Sequence, residues 1–70
     1  MYRITFGERF IASAGYDALT MELELEFSQT GQVSLFLDVP EEIWYAFKTA
    51  DYPYKYFQKN IRGKYEEARL

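Results

Sequence analysis

The chain has 70 residues, with 8 basic and 11 acidic side chains, no histidine, no cysteine and 20% aromatic residues. This length accommodates one domain, which we place at residues 1–70. The lack of cysteine excludes a disulfide framework and a thiol nucleophile, and the lack of histidine excludes most zinc and iron sites, so we expect no metal and no cofactor. The longest apolar run, residues 43–47, is far shorter than the roughly 20 residues that span a bilayer, and no signal peptide is visible. We therefore expect a soluble, cytoplasmic protein with no membrane partner.

The N-terminal part of the chain predicts strands and a turn. Apolar and polar residues alternate over residues 2–6, with the Tyr2 ring on the apolar side, which predicts a short strand. Residues 10–14 either extend that strand or begin a second one. Residues 15–20 predict a turn, in which the Asp17 side chain accepts a hydrogen bond from the backbone that follows it.

The middle of the chain predicts a β-hairpin. Residues 21–27 alternate between apolar residues and glutamates, residues 28–31 form a loop with Gly31 available for positive φ, and residues 32–37 return. The first strand carries Met21, Leu23, Leu25 and Phe27 on one face and Glu22, Glu24 and Glu26 on the other. The second carries Val33, Leu35 and Leu37 on one face and Ser34 and Phe36 on the other.

The three glutamates form a solvated face rather than a metal site. Alternate residues on a strand stand about 6–7 Å apart, too far for one cation to gather all three without other ligands. We expect these carboxylates to pair with Arg3 or Arg9 across neighbouring strands.

After residue 38 the pattern predicts a first helix. Pro40 suits the first helical turn, and Glu41 and Glu42 complement the helix N-terminus. The predicted buried stripe is Ile43, Ala46, Phe47 and Ala50, with Trp44 on its flank and Tyr45 exposed.

A second, shorter helix is predicted to begin at Asp51 as N-cap, with Pro53 in its first turn and Gly63 as C-cap. Its inner side carries Tyr54, Phe57 and Ile61, and its outer side carries Tyr52, Lys55, Tyr56 and Lys59. Residues 64–70 form a tail docked through Tyr65 and Leu70. Strands followed by helices indicate an α+β fold: a small antiparallel sheet of about three strands with two short helices packed on one face.

Charge is distributed unevenly along the chain. Residues 1–54 hold three basic and nine acidic side chains, net −6, whereas residues 55–70 hold five basic and two acidic side chains, net +3. Such a basic pole holds one or two phosphates through charge-assisted hydrogen bonds. An acidic protein is poorly suited to long duplexes, so a short single strand or a nucleotide is the better ligand.

The candidate ligand-binding surface combines this basic pole with tyrosine rings. Its members are Tyr52, Lys55, Tyr56, Lys59, Arg62, Lys64 and Arg69. Rings stack on bases at about 1–3 kcal/mol each, and the cations hold phosphate. The competing interpretation is an exposed amphipathic helix whose tyrosines cover the neighbouring core.

An ordered series of motifs runs through the chain: Gly15-Tyr16-Asp17, the alternation over residues 23–27, Gly31, Asp38-Val39-Pro40-Glu41-Glu42, and Tyr56-Phe57 followed by Asn60-Ile61-Arg62-Gly63-Lys64-Tyr65 and Arg69. Together they resemble the KTSC domain over about residues 11–70. That family is named for its place at the C-terminus of some lysyl-tRNA synthetases, and it also occurs as small bacterial and phage proteins. The resemblance implies a non-enzymatic module for which RNA binding has been proposed.

Two positions depart from the pattern of that family. Its central Tyr-x-Tyr stands here as Ser34-Leu35-Phe36, and a glycine usual before Lys-Tyr-Phe stands here as Tyr54. If these positions contact the family's ligand, the resemblance implies a different ligand for this chain.

We therefore expect a non-catalytic binding module for single-stranded RNA or a nucleotide. Catalysis is not expected, because Ser13, Ser28 and Ser34 have no histidine base. The alternative is a self-assembling or protein-interaction accessory protein that docks through Phe36 and Tyr45. A phage-encoded form would inhibit or sequester a host factor such as a signalling nucleotide. Loss of the family's tyrosines favours a Phe36 that packs under the N-terminal segment instead.

Overall fold

The computed structural model describes residues 2–70, with the backbone alone for Tyr2, so the predicted position of the Tyr2 ring lies outside the described residues. The strands are β1 (Tyr2–Thr5), β2 (Ile11–Asp17), β3 (Glu22–Phe27), β4 (Val33–Phe36) and β5 (Glu67–Arg69), and the helices are α1 (Glu41–Thr49) and α2 (Pro53–Asn60). The strands form one antiparallel sheet in the order β1-β2-β3-β4-β5. The α+β fold with two helices is confirmed, but the sheet has five strands rather than about three. Neither helix within residues 2–70 is long and apolar enough to cross a bilayer.

The β2–β3 turn lies later in the chain than predicted. Gly15 and Tyr16 belong to β2, and the turn begins at Asp17, whose carbonyl accepts the Met21 N–H at 2.7 Å. The Asp17 carboxylate accepts the Leu19 N–H at 2.9 Å, as predicted. Met21 has a φ of +59° and is exposed, so its predicted place on the apolar face of the strand was wrong.

The C-terminal tail forms the fifth strand. After α2 the chain reverses at Gly63, whose φ is +75°, and β5 pairs with β4. Tyr65 packs against the core, which confirms one of the two predicted docking residues. The Leu70 side chain is exposed instead, although its N–H donates to the Val33 carbonyl at 2.9 Å.

Both helices cover one face of the sheet, and the core between the helices and the sheet is rich in aromatic rings. Its fully or almost fully buried members include Ile11, Leu23, Leu25, Phe36, Val39, Trp44, Phe47, Phe57 and Ile61. The rings of Tyr16 and Trp44 stack with centroids 5.6 Å apart, and the Phe6 and Phe47 rings lie 5.3 Å apart. Because each ring buries a large apolar area, this small chain obtains a core without disulfides.

Helix α1 is turned further toward Trp44 than the periodicity predicted. Trp44 and Phe47 are buried, whereas Ile43, Ala46 and Ala50 are half-buried. Trp44 is therefore a core residue rather than a flanking one. Tyr45 is exposed, as predicted, and Lys48 Nζ lies 4.2 Å from its ring centroid.

Phe36 contributes no surface for an interaction. It is fully buried, and its ring packs edge-on against Phe57 of α2 with centroids 5.5 Å apart. Its predicted place on an interaction surface was wrong. Phe36 is packed in the core, as the alternative held, and it contacts a ring of α2.

The glutamates of β3 lie on the sheet face away from the helices, where two of them are hydrogen-bonded. Arg3 forms an ion pair with Glu24, and its Nε donates to Ser13 Oγ at 2.9 Å. Ser13 Oγ in turn donates to Glu26 at 2.8 Å. The predicted pairing with Arg3 is confirmed, while Arg9 stacks over the Phe10 ring at 5.3 Å.

The predicted N-cap of helix α2, Asp51, does not cap the helix. Tyr52 occupies the N-cap and makes no side-chain cap among the described residues. Instead, Glu8 from the β1–β2 loop accepts the Tyr54 N–H at 3.2 Å. At the other end the C-cap is Ile61, and Gly63 adopts its left-handed conformation in the turn that follows.

Candidate functional site

The outer side of α2 presents part of the predicted surface to solvent. Tyr52 is 73% exposed, and Lys55 and Lys59 are exposed beside it. Tyr56 differs, because it is half-buried and packs against the core. Burial raises the Tyr56 pKa most, followed by the neighbouring Tyr65 and Glu42. Tyr56 therefore covers core, as the competing interpretation held, and leaves Tyr52 as the exposed ring on this side.

Two of the predicted cations lie together at a cleft. Arg62 follows α2 and Arg69 belongs to β5, and both line a cleft of about 340 Å³. The cleft also receives residues from the end of β3, the β3–β4 loop, β4 and α2. These are Phe27, Thr30, Gln32, Ser34, Tyr54, Phe57 and, from β5, Glu67.

Aromatic rings form one wall of the cleft. The Phe57 ring lies 5.7 Å from Phe27 and 6.0 Å from Tyr54, measured between centroids. Tyr54 also stacks on Phe10 with centroids 4.5 Å apart. Because Tyr54 contacts a ring on either side, its position is fixed before any ligand arrives.

A buried hydroxyl without a partner lines the cleft. Ser34 is 1% exposed, and within residues 2–70 its Oγ has no hydrogen-bond partner. The neighbouring polar groups are already engaged: Gln32 Nε2 donates to the Val33 carbonyl at 2.8 Å, and Thr30 Oγ1 accepts the Gln32 N–H at 3.2 Å. Buried polar groups in proteins are normally paired, so this serine has hydrogen-bonding capacity to offer a ligand.

The charged groups at the cleft are not neutralised by close partners. Across residues 2–70 the only ion pair is the one between Arg3 and Glu24. The guanidinium groups of Arg62 and Arg69 are therefore available to an anion, and the cleft also holds the carboxylate of Glu67. No group of three acidic side chains that could hold a metal ion occurs among these described residues.

The predicted surface thus divides into two parts. Arg62 and Arg69 line the cleft, whereas Lys55, Lys59 and Lys64 are exposed and do not line it. The single convergent patch that the sequence suggested is replaced by a cleft with two arginines and a lysine-bearing helix surface.

The predicted ligand-binding set leaves out seven of the nine residues that line the cleft, among them Ser34, Tyr54 and Glu67. Tyr54 had been placed on the inner side of α2, which is correct, but that side also faces the cleft. Ser34 carried a usable signal, because a polar residue at a core-facing position of a strand calls for a specific partner. Glu67 belongs to a strand that the sequence did not predict.

Comparison with known proteins identifies the family. The profile of the KTSC domain matches residues 8–65. The crystal structure of a KTSC domain protein from Yersinia pestis superposes with a TM-score of 0.93, at 29% sequence identity, over 99% of this chain and 96% of that one. No curated protein shows significant similarity to the chain. This chain therefore belongs to the KTSC domain family.

Proposed function

We propose that this protein is a non-catalytic module that binds a phosphate-bearing ligand, either a single-stranded RNA or a nucleotide, at the cleft. The observation that carries the proposal is the presence of Arg62 and Arg69 at one cleft, neither of them in an ion pair among residues 2–70. Guanidinium groups bind phosphate oxygens in a bidentate manner, which gives both strength and orientation.

The aromatic wall supports the same function. The half-buried Tyr54, which packs against the buried Phe57, presents ring surface next to the arginines, and stacking is a sequence-tolerant way to hold a base. For a longer strand, Tyr52 and the lysines on the outer side of α2 offer further contacts with bases and phosphates.

A binding role fits the available side chains better than a catalytic one. The sequence contains no histidine and no cysteine, so Ser34 has no imidazole base that would activate it.

The test is isothermal titration calorimetry with a panel of nucleotides and short RNA oligomers. The variant R62A/R69A removes both cations of the cleft, and K55A/K59A removes the same charge from the outer side of α2. We expect R62A/R69A to weaken binding at least tenfold, and K55A/K59A to have little effect on a nucleotide or a short oligomer. An absence of heat with every ligand at tens of micromolar contradicts the proposal.

A second candidate function is protein interaction or self-association. Within residues 2–70 five large side chains with apolar surface are exposed: Leu19, Met21, Tyr45, Tyr52 and Leu70. Exposed aromatic residues are typical of interaction surfaces. Light scattering across a concentration series tests self-association, which a strict monomer at high concentration contradicts.

A further inference from the structure

The size of the cleft limits what it holds. Its volume of about 340 Å³ lies at the lower end of the roughly 300–1,000 Å³ that small-molecule sites span. One nucleotide unit fits such a volume, whereas successive nucleotides of a strand must lie outside it.

The unpartnered Ser34 hydroxyl indicates a polar ligand group deep in the cleft. Because Ser34 is buried, its Oγ loses hydrogen bonds to solvent without gaining any from residues 2–70. A ligand that supplies a donor or an acceptor at this point gains a hydrogen bond and removes the cost of an unpaired group.

The mixed charge indicates a ligand with donors as well as an anion. Glu67 and Arg69 are two residues apart in β5 and both line the cleft. A bare phosphate is attracted by the arginines but repelled by this carboxylate. A nucleotide suits both the arginines and the carboxylate. Its phosphate binds the guanidinium groups, while an amine, a ring N–H or a ribose hydroxyl donates a hydrogen bond to Glu67.

From these observations we infer that the cleft binds a single nucleotide unit, with its base against Tyr54, its phosphate at Arg62 and Arg69, and a polar group hydrogen-bonded to Ser34 Oγ. This inference rests on the proposed function and specifies its ligand. Ser34 is then a specificity-determining residue that destabilises the free protein.

The experiment measures affinity and thermal stability together. Calorimetry compares the four nucleoside 5′-monophosphates with ribose 5-phosphate, which lacks the base, with adenosine, which lacks the phosphate, and with an RNA octamer. The variants are Ser34→Ala, Glu67→Gln and, as the matched control, Ser28→Ala in the exposed β3–β4 loop.

We expect at least one monophosphate to bind tenfold more tightly than either part of it alone. Ser34→Ala is expected to weaken that binding at least fivefold while raising the Tm of the free protein. Glu67→Gln is expected to change the order of preference among the bases, and Ser28→Ala to change neither quantity.

The outcomes separate this inference from the proposed function. Binding of the octamer without binding of any monophosphate overturns the inference and leaves the proposed function standing. An unchanged affinity in Ser34→Ala also overturns the inference, because the hydroxyl then makes no contact with the ligand. A lowered Tm overturns it as well, because the hydroxyl then has a structural role. An absence of binding by every phosphate-bearing ligand overturns both.

Discussion

Glu8 connects the N-terminal loop to the helix that borders the cleft. Its Oε2 accepts the N–H groups of Phe10 and Ile11 at 3.0 Å each, and its Oε1 accepts the Tyr54 N–H at 3.2 Å. The side chain thus supplies α2 with the acceptor that its N-cap lacks. One carboxylate therefore connects the β1–β2 loop to the start of α2.

Glu8→Ala is expected to lower the free energy of unfolding by about 1.5–3 kcal/mol, the usual contribution of hydrogen bonds to a charged group. Urea denaturation measures the change. Glu66→Ala, at an exposed position, is the control and should have little effect. An equal loss in the two variants would show that the three backbone contacts contribute nothing.

Tyr16 anchors the loop between β4 and α1. Its hydroxyl donates to the Val39 carbonyl at 2.5 Å, and the Val39 N–H donates to the Met21 carbonyl at 2.9 Å. Burial raises the Tyr16 pKa most, followed by the charges of Glu41 and Asp17. The folded protein therefore favours the neutral phenol.

Tyr16→Phe is expected to cost about 1 kcal/mol at neutral pH, because the Val39 carbonyl loses its donor. In the unfolded chain a tyrosine ionises at about pH 10. Since the folded pKa is raised, the stabilisation is fully present below that pH and is lost as the pH rises toward the folded pKa. Chemical denaturation between pH 8 and pH 11 should show a shallower alkaline loss of stability in the variant. An identical dependence of stability on pH in the variant and the unmodified protein would contradict the role given to Tyr16. Tyr45→Phe is the control at neutral pH.

At the scale of elements, periodicity predicted the parts of the fold that bury one face. The β3–β4 hairpin and both helices follow from the spacing of their apolar residues. The prediction was wrong at Gly15, a residue type that is typical of turns but lies inside β2 here. Gly15 pairs with Arg3 on one side and Glu24 on the other, so the Arg3–Glu24 ion pair joins the strands that flank it. That cross-strand relation is absent from any local pattern.

Strand β5 was missed for a different reason. Its three residues, Glu67–Arg69, are all exposed, so they show no alternation between apolar and polar positions. The strand is held by backbone pairing to β4 and by the reversal of the chain after α2. Prediction of such a strand requires knowledge of the tertiary path.

The reversal after α2 depends on Gly63, and its substitution tests that dependence. An added Cβ would meet no atom within 4 Å, but the φ of +75° disfavours any L side chain. Gly63→Ala is therefore expected to destabilise the fold by about 1–2 kcal/mol through the backbone alone. Gly7→Ala is the matched control, because Gly7 is equally uncrowded and has no positive φ. In thermal unfolding, Gly63→Ala should therefore have a lower Tm than Gly7→Ala. Equal Tm values would show that the positive φ of Gly63 does not limit stability.

At the scale of the whole molecule, the charge asymmetry predicted a basic region but not its division. Helical spacing correctly placed Lys55 and Lys59 on one side of α2, yet it could not show that β5 brings Arg69 to the other side, next to Arg62. Ser34 and Tyr54, at which the resemblance implies departures from the family pattern, line the same cleft.

The salt dependence of binding distinguishes a ligand held in the cleft from one spread over the basic region. For single-stranded nucleic acid, the slope of log K against log salt is about −0.7 for each phosphate contact. Contacts at Arg62 and Arg69 alone neutralise one or two phosphates and then predict a loss of affinity of about 2.6-fold to sevenfold between 50 and 200 mM salt for a short RNA. Engagement of all five cations in residues 55–70 predicts a loss of about 130-fold. Because only the two arginines line the cleft, we expect the shallow dependence in fluorescence anisotropy titrations. A steep dependence that K55A/K59A reduces would place the binding surface on the outer side of α2 instead.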